Sequence, residues 1–245
     1  MHISFSSAPV EAFECDTLIV LGFEKTKDGP LPESLSTLNR QTDGWVEEVY
    51  GSGEFCGKPF ESVVLHRPAG TKAKRLLLAG AGKQDKVSAG ELARATGAAL
   101  RTARKAGARK VALLMQNASA AQAQAIGEGA LLGNWEPSRY RTKDETKPID
   151  GFTLLSPGGS EAELAPALER GRIIGEGANF TRDLATEPPN VLGPQELAER
   201  ARAMAAEQGL ECEVLDRDRM REIGMGSLLG VAQGSVRPPA LWFAE

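Results

Sequence analysis

Short apolar runs alternate with helix-forming segments along the first two thirds of the chain. Each apolar run has the length of a strand and is bounded by turn residues such as glycine and proline. The predicted strands are Leu18–Phe23, Ser62–His66, Arg75–Gly80, Lys110–Met115 and Gly151–Ser156. Two helices are predicted between the later strands, one from Ser88 to Ala106 and one over Ala120–Leu132. This alternation is typical of βαβ units, so residues 1–156 are predicted to form an α/β domain with a mostly parallel sheet.

Local signals support two of these elements. The run Arg75–Gly80 is almost wholly apolar, which is typical of a strand covered on both faces of a parallel sheet. Ser88 and Glu91 have the spacing of a capping box, and Gly107 stands where a helix ends in a left-handed residue. The helix between them is therefore predicted with defined ends.

A loop cluster at Pro157–Ser160 separates this domain from the remaining third of the chain. A long helix is predicted over Ala162–Leu184, and its three glycines indicate either close approach of a neighbouring element or a weak helix. Further elements are predicted at Gln195–Gln208 (helix), Glu211–Leu215 (strand), a short helix capped by Asp216, and Pro239–Glu245 (strand). We therefore divide the chain into a domain at 1–156, a linking helix and loop at 157–190, and the start of a second α/β domain at 191–245.

Composition and charge exclude several classes of protein. Hydrophobic residues make up 41% and charged residues 25% of the 245 residues, which is typical of a globular protein. No apolar run approaches the ~18 residues of a membrane span, and the start lacks the features of a signal peptide. The three cysteines, Cys15, Cys56 and Cys212, are too few and too scattered for a disulfide framework, so we expect reduced thiols and a cytoplasmic location. A net charge of −4 argues against general nucleic-acid affinity.

Individual residues do not assemble an active site from sequence alone. Gly80–Lys83 follows a strand, but its spacing fits neither a P-loop nor a dinucleotide fingerprint, so a tight turn is predicted. His2 and His66 are far apart, and Glu47, Glu48 and Asp216–Asp218 are interpreted as surface charge rather than metal ligands.

Neither a nucleophile nor a nucleic-acid site is evident. Alternation predicts that Cys212 lies on the buried face of its strand, and Ser227 and Ser235 lie in glycine-rich segments without a Gly-x-Ser-x-Gly motif. A group of basic residues is interpreted mainly as a solvated helix face. Its members are Arg94, Arg101, Arg104, Lys105, Arg109 and Lys110.

The segment Asn179–Asn190, Asn-Phe-Thr-Arg-Asp-Leu-Ala-Thr-Glu-Pro-Pro-Asn, carries a resemblance to a known family. Together with Ile223–Ser235 and Pro238–Leu241, it resembles the start of the catalytic domain of leucyl aminopeptidases, the cytosol aminopeptidase family of two-metal peptidases. Leu76–Lys83, Gly129–Trp135 and Tyr140–Lys143 are similar to the family's variable N-terminal domain, which is macro-like.

The resemblance implies an enzyme that releases N-terminal residues, preferentially Leu, from peptides. Two divalent ions, Mn or Zn, polarise the scissile carbonyl in such enzymes and generate a bound hydroxide. The resemblance also implies a cytoplasmic homo-hexamer. It assigns structural roles to Pro188 and Pro189, which end the linking helix, and to Gly226–Gly234, which would connect a helix to a strand.

The family's metal ligands lie in a Val-Gly-Lys-Gly-x-x-Phe-Asp-Ser-Gly-Gly segment, at a further Asp and in an Asn-Thr-Asp-Ala-Glu-Gly-Arg run, none of which occurs in this sequence. We therefore assign no catalytic, metal or cofactor-binding residue, expect no metal on this chain, and expect that it is the N-terminal half and inactive alone. Two alternatives remain: a stand-alone macro-like module for nucleotides or nucleic acid, or a short subunit of a larger aminopeptidase assembly.

Overall fold

A computed structural model describes residues 1–25, 29–31, 33–142 and 147–245, which form two compact units, Met1–Asn179 and Phe180–Glu245. Lys143, which belongs to one of the family-like segments, lies outside these residues. The strands are β1 His2–Ser6, β2 Thr17–Gly22, β3 Ser62–His66, β4 Arg75–Gly80, β5 Lys110–Leu114, β6 Gly151–Leu155, β7 Cys212–Leu215 and β8 Leu241–Ala244. The helices are α1 Glu33–Gln41, α2 Trp45–Ser52, α3 Ala89–Lys105, α4 Ala120–Asn134, α5 Glu161–Ala185, α6 Pro194–Gln208, α7 Arg217–Glu222 and α8 Gly226–Ala232.

The first unit contains a six-stranded sheet with the order β1-β6-β5-β2-β4-β3. The pairs along β1, β6, β5, β2 and β4 are parallel, and β3 alone pairs antiparallel, at the edge beside β4. The predicted α/β class with a mostly parallel sheet is confirmed. The strand β1, which forms the other edge of the sheet, was not predicted from the sequence.

Each face of the sheet is covered by its own set of helices. The side chains of β2 point alternately to the two faces of the sheet, and each face has its own hydrophobic core. Ile19 and Leu21 pack in one core layer, and Leu18 and Val20 pack in the other. The first layer contains α3 and α4 with the beginning of α5, and the second contains α1 and α2, which sequence analysis did not predict. A strand buried on both faces is apolar throughout, as the central strands are.

Glycines bring α3 and α4 unusually close together. A Cβ atom at Gly129 would lie 2.8 Å from the Ala93 Cα, and one at Gly133 would lie 2.5 Å from the Gly97 Cα. Real Cβ contacts are almost never this short, so the two backbones pack directly on one another. The capping box at the start of α3 is present as predicted, with Ser88 accepting from the Glu91 N–H.

The long predicted helix is confirmed as α5, and its glycines play different parts. A Cβ atom at Gly171 would lie 2.9 Å from the Glu128 N, and one at Gly175 would lie 2.6 Å from the Leu131 Cβ. At Gly177, beyond the backbone of its own helix, no described atom lies within 4 Å of such a Cβ. Close approach therefore explains the first two glycines but not the third.

In the second unit, β7 and β8 pair antiparallel, and α6 ends at Gly209 in the left-handed conformation. Asp216 caps α7 through the Arg219 N–H, as predicted. The segment Gly226–Gly234 lies between α7 and β8, as predicted for a connection from a helix to a strand, but residues 226–232 themselves form α8, which was not predicted. Glycine lowers helix propensity but does not forbid a helix when Leu and Val residues stand between the glycines.

The proposed division at 1–156, 157–190 and 191–245 stays a prediction, while the two compact units meet between Asn179 and Phe180. None of the helices in the described part of the chain is both long and apolar enough to cross a membrane.

Candidate functional site

Three of the four backbone N–H groups of the loop Gly80–Lys83 are already hydrogen-bonded within the protein. The N–H groups of Gly80, Ala81 and Gly82 donate to the carbonyls of Glu61, Gly22 and Gly57 respectively, at 2.8–2.9 Å. A phosphate-cradling loop needs several N–H groups directed at its ligand. The geometry of this loop is that of a tight connection after β4.

The histidines and acidic pairs lie apart on the surface. His2 and His66 are exposed in the two edge strands β1 and β3, while Glu47 and Glu48 are exposed on α2. Asp216 and Asp218 lie at the start of α7, where Asp216 is the helix cap. Within residues 1–25, 29–31, 33–142 and 147–245, no group of three or more His, Cys, Asp or Glu side chains could hold a metal ion. The described residues therefore do not fit a two-metal centre.

The candidate nucleophiles also lie apart. Cys15 is buried before β2, and burial raises the pKa of its thiol to about 12, which opposes thiolate formation. Cys212 is half-buried between the exposed Glu211 and Glu213, so it lies on the more buried face of β7 as alternation predicts, although the two-stranded sheet covers that face incompletely. Ser227 lies within α8 rather than in a turn, and Ser235 follows that helix.

The basic group splits between surface and interior. Arg94, Arg101 and Lys105 are exposed on α3, in line with a solvated face. Arg104 departs from that interpretation, because its side chain is 4% exposed, pairs with Glu136 and donates to the Asn134 carbonyl at 2.9 Å. Packing of α3 against α4 encloses this side chain. The spacing of basic residues along α3 alone does not show this burial.

A charged cluster lies at the amino edge of the sheet. Asp16, just before β2, accepts hydrogen bonds from the Lys74 ammonium at 2.7 Å and from the N–H groups of Arg109 and Lys110 at 2.8 and 2.9 Å. Burial by itself would raise the pKa of this carboxyl, but these three donors lower it to about 2. Because Lys74 precedes β4 and Arg109 precedes β5, Asp16 ties together the beginnings of three strands.

The opposite, carboxyl edge contains a cavity of about 170 Å³ between the ends of β2 and β5. Its apolar lining consists of the buried Val20, Leu21 and Leu114 and the half-buried Phe23 and Met115.

Four carboxamides complete the lining of this cavity: Gln84, Gln116, Asn117 and Gln122. Sequence analysis missed them, although Gln116 and Asn117 directly follow a buried strand, which is a usable signal for the functional edge of a parallel sheet. All nine described residues that line the cavity are uncharged.

Comparison with known proteins identifies the family. Residues 19–144, more than half of the chain, match the N-terminal domain of the cytosol aminopeptidase family, and residues 179–245 match its catalytic domain. The chain belongs to the cytosol aminopeptidase family. The predicted resemblance is therefore confirmed, for the N-terminal domain and for the opening of the catalytic domain alike.

Relatives of this family member are similar over its whole length. A protein of Solibacter usitatus named "Probable cytosol aminopeptidase" is 44% identical over 98% of this chain and 47% of its own length. Another of the same name, from Acidobacterium capsulatum, is 35% identical over 100% of this chain and 51% of its own. The chain thus spans about half the length of the curated relatives that it matches.

Solved structures share the fold. A mutant of tomato leucine aminopeptidase superposes with a TM-score of 0.83 at 23% identity, over 100% of this chain and 50% of that protein. The bottromycin maturation enzyme BotP in complex with Mn superposes with a TM-score of 0.70 at 23% identity, over 94% of this chain and 45% of that protein. At such identities the likeness establishes the arrangement of strands and helices and nothing further.

Proposed function

We propose that this chain carries the N-terminal domain and the first part of the catalytic domain of a metal-dependent aminopeptidase that releases N-terminal residues, preferentially Leu, from peptides. The observation that carries the proposal is the order of the two matches, N-terminal domain at 19–144 and catalytic domain at 179–245. Two Mn or Zn ions would supply the activated water in the working enzyme. We further propose a cytoplasmic location and a homo-hexameric assembly.

The metal-binding segment is, in this proposal, contributed by polypeptide other than these 245 residues. The described residues hold no cluster that fits a metal, and the catalytic-domain relatives extend over about twice this length. The chain alone is then expected to be inactive, and no catalytic step is assigned to its own residues.

Exposed apolar side chains in the second unit support this proposal. Val231 and Val236 are 84% and 102% exposed, and Phe243 in β8 is 47% exposed. The two-stranded sheet of β7 and β8 also leaves strand edges open to further pairing. Scattered exposed residues are ordinary in proteins, but these lie close together in sequence and flank an open sheet. They fit a surface that packs against more polypeptide in the active enzyme.

The test is a chimera. This chain is fused to the half of the Solibacter relative that lies beyond the matched region, and hydrolysis of Leu-p-nitroanilide is measured with and without Mn²⁺. We expect metal-dependent turnover from the chimera and from the full-length relative, and none from the chain alone. Turnover by the chain alone would contradict the assignment of the metal segment elsewhere. A folded, inactive chimera beside an active full-length relative would contradict the proposed activity.

A further inference from the structure

The cavity between β2 and β5 lies where the connections of the sheet diverge. After β2 the chain passes through α1 and α2 to β3, on the side of the sheet where β4 lies. After β5 it passes through α4 to β6, on the opposite side. Neighbouring parallel strands whose connections leave in opposite directions open a crevice at their carboxyl ends, and ligands of open α/β sheets bind in such crevices.

The lining of this cavity indicates the chemistry of a ligand. Since the described residues around it are uncharged, a charged ligand would lose its hydration without gaining a counter-ion. Carboxamides both donate and accept hydrogen bonds, so they suit a neutral group that presents a donor beside an acceptor. Phe23 offers an aromatic surface for stacking. The volume of about 170 Å³ is below the roughly 300–1,000 Å³ of drug-sized sites, which limits the enclosed group to a single ring system.

Two of the carboxamides are held by the fold. The Gln122 Oε1 accepts from the Ser119 N–H at 2.9 Å in the capping box of α4, which leaves the amide NH2 group as a donor. Asn117 has a φ of 51°, a conformation that few residues other than glycine and asparagine adopt readily. The backbone between β5 and α4 therefore places these amides at the cavity before any ligand arrives.

We propose that this cavity is a binding site for a neutral purine nucleoside, with the base enclosed between the strand ends and its edge hydrogen-bonded to the carboxamides. Asparagine and glutamine are the side chains that pair bidentately with adenine, which has a donor and an acceptor on one edge. The ribose would extend into solvent past the exposed Gln84 and Gln116. This site is independent of the proposed peptidase activity and belongs to the first unit alone.

The experiment uses the chain as it exists, labelled with ¹³C at the methionine methyl groups, and titrates it with adenosine. The sequence has five methionines, of which Met115 lines the cavity, so the other four serve as internal controls. We expect a saturable shift of the Met115 methyl resonance with a Kd below about 1 mM. Absence of a saturable shift at about 5 mM adenosine would overturn the proposal.

Variants separate this site from unspecific binding. In the double variant Gln116→Ala with Asn117→Gly, both changes remove exposed amides, and glycine tolerates the positive φ of residue 117. We expect its Kd to rise at least about tenfold. The matched control is Gln208→Ala with Asp43→Gly, which removes a remote amide and a second side chain at positive φ, and it should bind as the unaltered chain does. Equal affinity of both variants would overturn the proposal.

A comparison of AMP with adenosine tests whether the site prefers a neutral ligand. AMP should bind no tighter than adenosine, because none of the described residues that line the cavity is a cation, and Lys25 and Lys83 in the neighbouring pocket stand beside Glu24 and Asp85. AMP binding at least about tenfold tighter would show that the phosphate dominates recognition, and would overturn the assignment of a neutral ligand.

Discussion

Substituting alanine for glycine in two helices of the first unit should change stability in opposite directions. Gly129 lies in α4 directly against α3, and an added methyl carbon would lie 2.8 Å from the Ala93 Cα and closer still to its carbonyl oxygen. Gly177 lies in α5, and beyond the backbone of its own helix no described atom lies within 4 Å of the same added carbon. The chemical change is identical at both sites. Whether it raises or lowers the free energy of unfolding therefore depends on the atoms around each glycine.

The magnitudes follow from two competing effects. Alanine favours a helix over glycine by about 1 kcal/mol, a gain that applies at both positions. At Gly129 the new methyl group meets backbone atoms that cannot rotate away, so α3 and α4 must separate, and we expect a cost near the upper end of the roughly 1–3 kcal/mol that overpacking typically carries. We expect Gly129→Ala to lower the free energy of unfolding by about 1–2 kcal/mol. Gly177→Ala should raise it by about 0.5–1 kcal/mol.

Urea unfolding followed by far-UV circular dichroism measures both changes, provided that the slope of the free energy against denaturant is the same in all three proteins. In thermal unfolding, a domain of this size should shift by about 2–4 °C for each kcal/mol. A stabilising effect of Gly129→Ala would refute the close backbone packing of α3 on α4. A destabilising effect of Gly177→Ala would refute the open surroundings of that position.

Three further predictions concern single side chains. Since its pKa in the folded state lies near 2 against an ordinary value of about 3.9, Asp16 stabilises the fold above about pH 4 and loses that contribution as pH falls towards 2. Asp16→Asn should therefore cost about 1–2 kcal/mol at pH 7 and almost nothing near pH 2, as measured by urea unfolding at each pH. Glu136→Ala removes the carboxylate that pairs with the buried Arg104 guanidinium and should cost about 1–3 kcal/mol, whereas Glu48→Ala on the exposed face of α2 should cost less than about 0.5 kcal/mol, both by the same assay. Under native conditions Ellman's reagent should modify Cys15 more slowly than the two half-buried cysteines, and equal rates would contradict its burial.

Local pattern predicted most elements of the fold because their signals are contained in a few neighbouring residues. The caps at Ser88 and Asp216 were predicted correctly, since a side chain that binds the N–H three residues later needs no distant partner. The helix α5 was predicted in spite of its glycines, but only the packed structure distinguishes Gly171, where an added Cβ would meet α4, from Gly177, where it would meet open space. The elements α1, α2, α8 and β1 were missed, α1 in spite of the helical spacing of its buried Leu35 and Leu38.

The candidate site could be predicted only in part. The sequence shows that the polar residues Gln116 and Asn117 follow the buried strand β5. The sequence does not show that these residues lie beside the end of β2. Their position there follows from the strand order, because β2 ends at Gly22 and β5 begins only at Lys110. Likewise Arg104 lies among exposed basic residues of one helix, and only the packing of α4 encloses it.

The sequence by itself determined the class of the fold, the family and the absence of that family's metal-ligand motifs from these 245 residues. These conclusions rest on residue types and short spacings, which can be read without knowledge of the tertiary fold. Only the tertiary structure decided which strands adjoin, where the uncharged cavity opens and which glycines permit close helix packing. The physical reason is that burial and contact depend on the mutual placement of distant segments, which local propensity leaves undetermined.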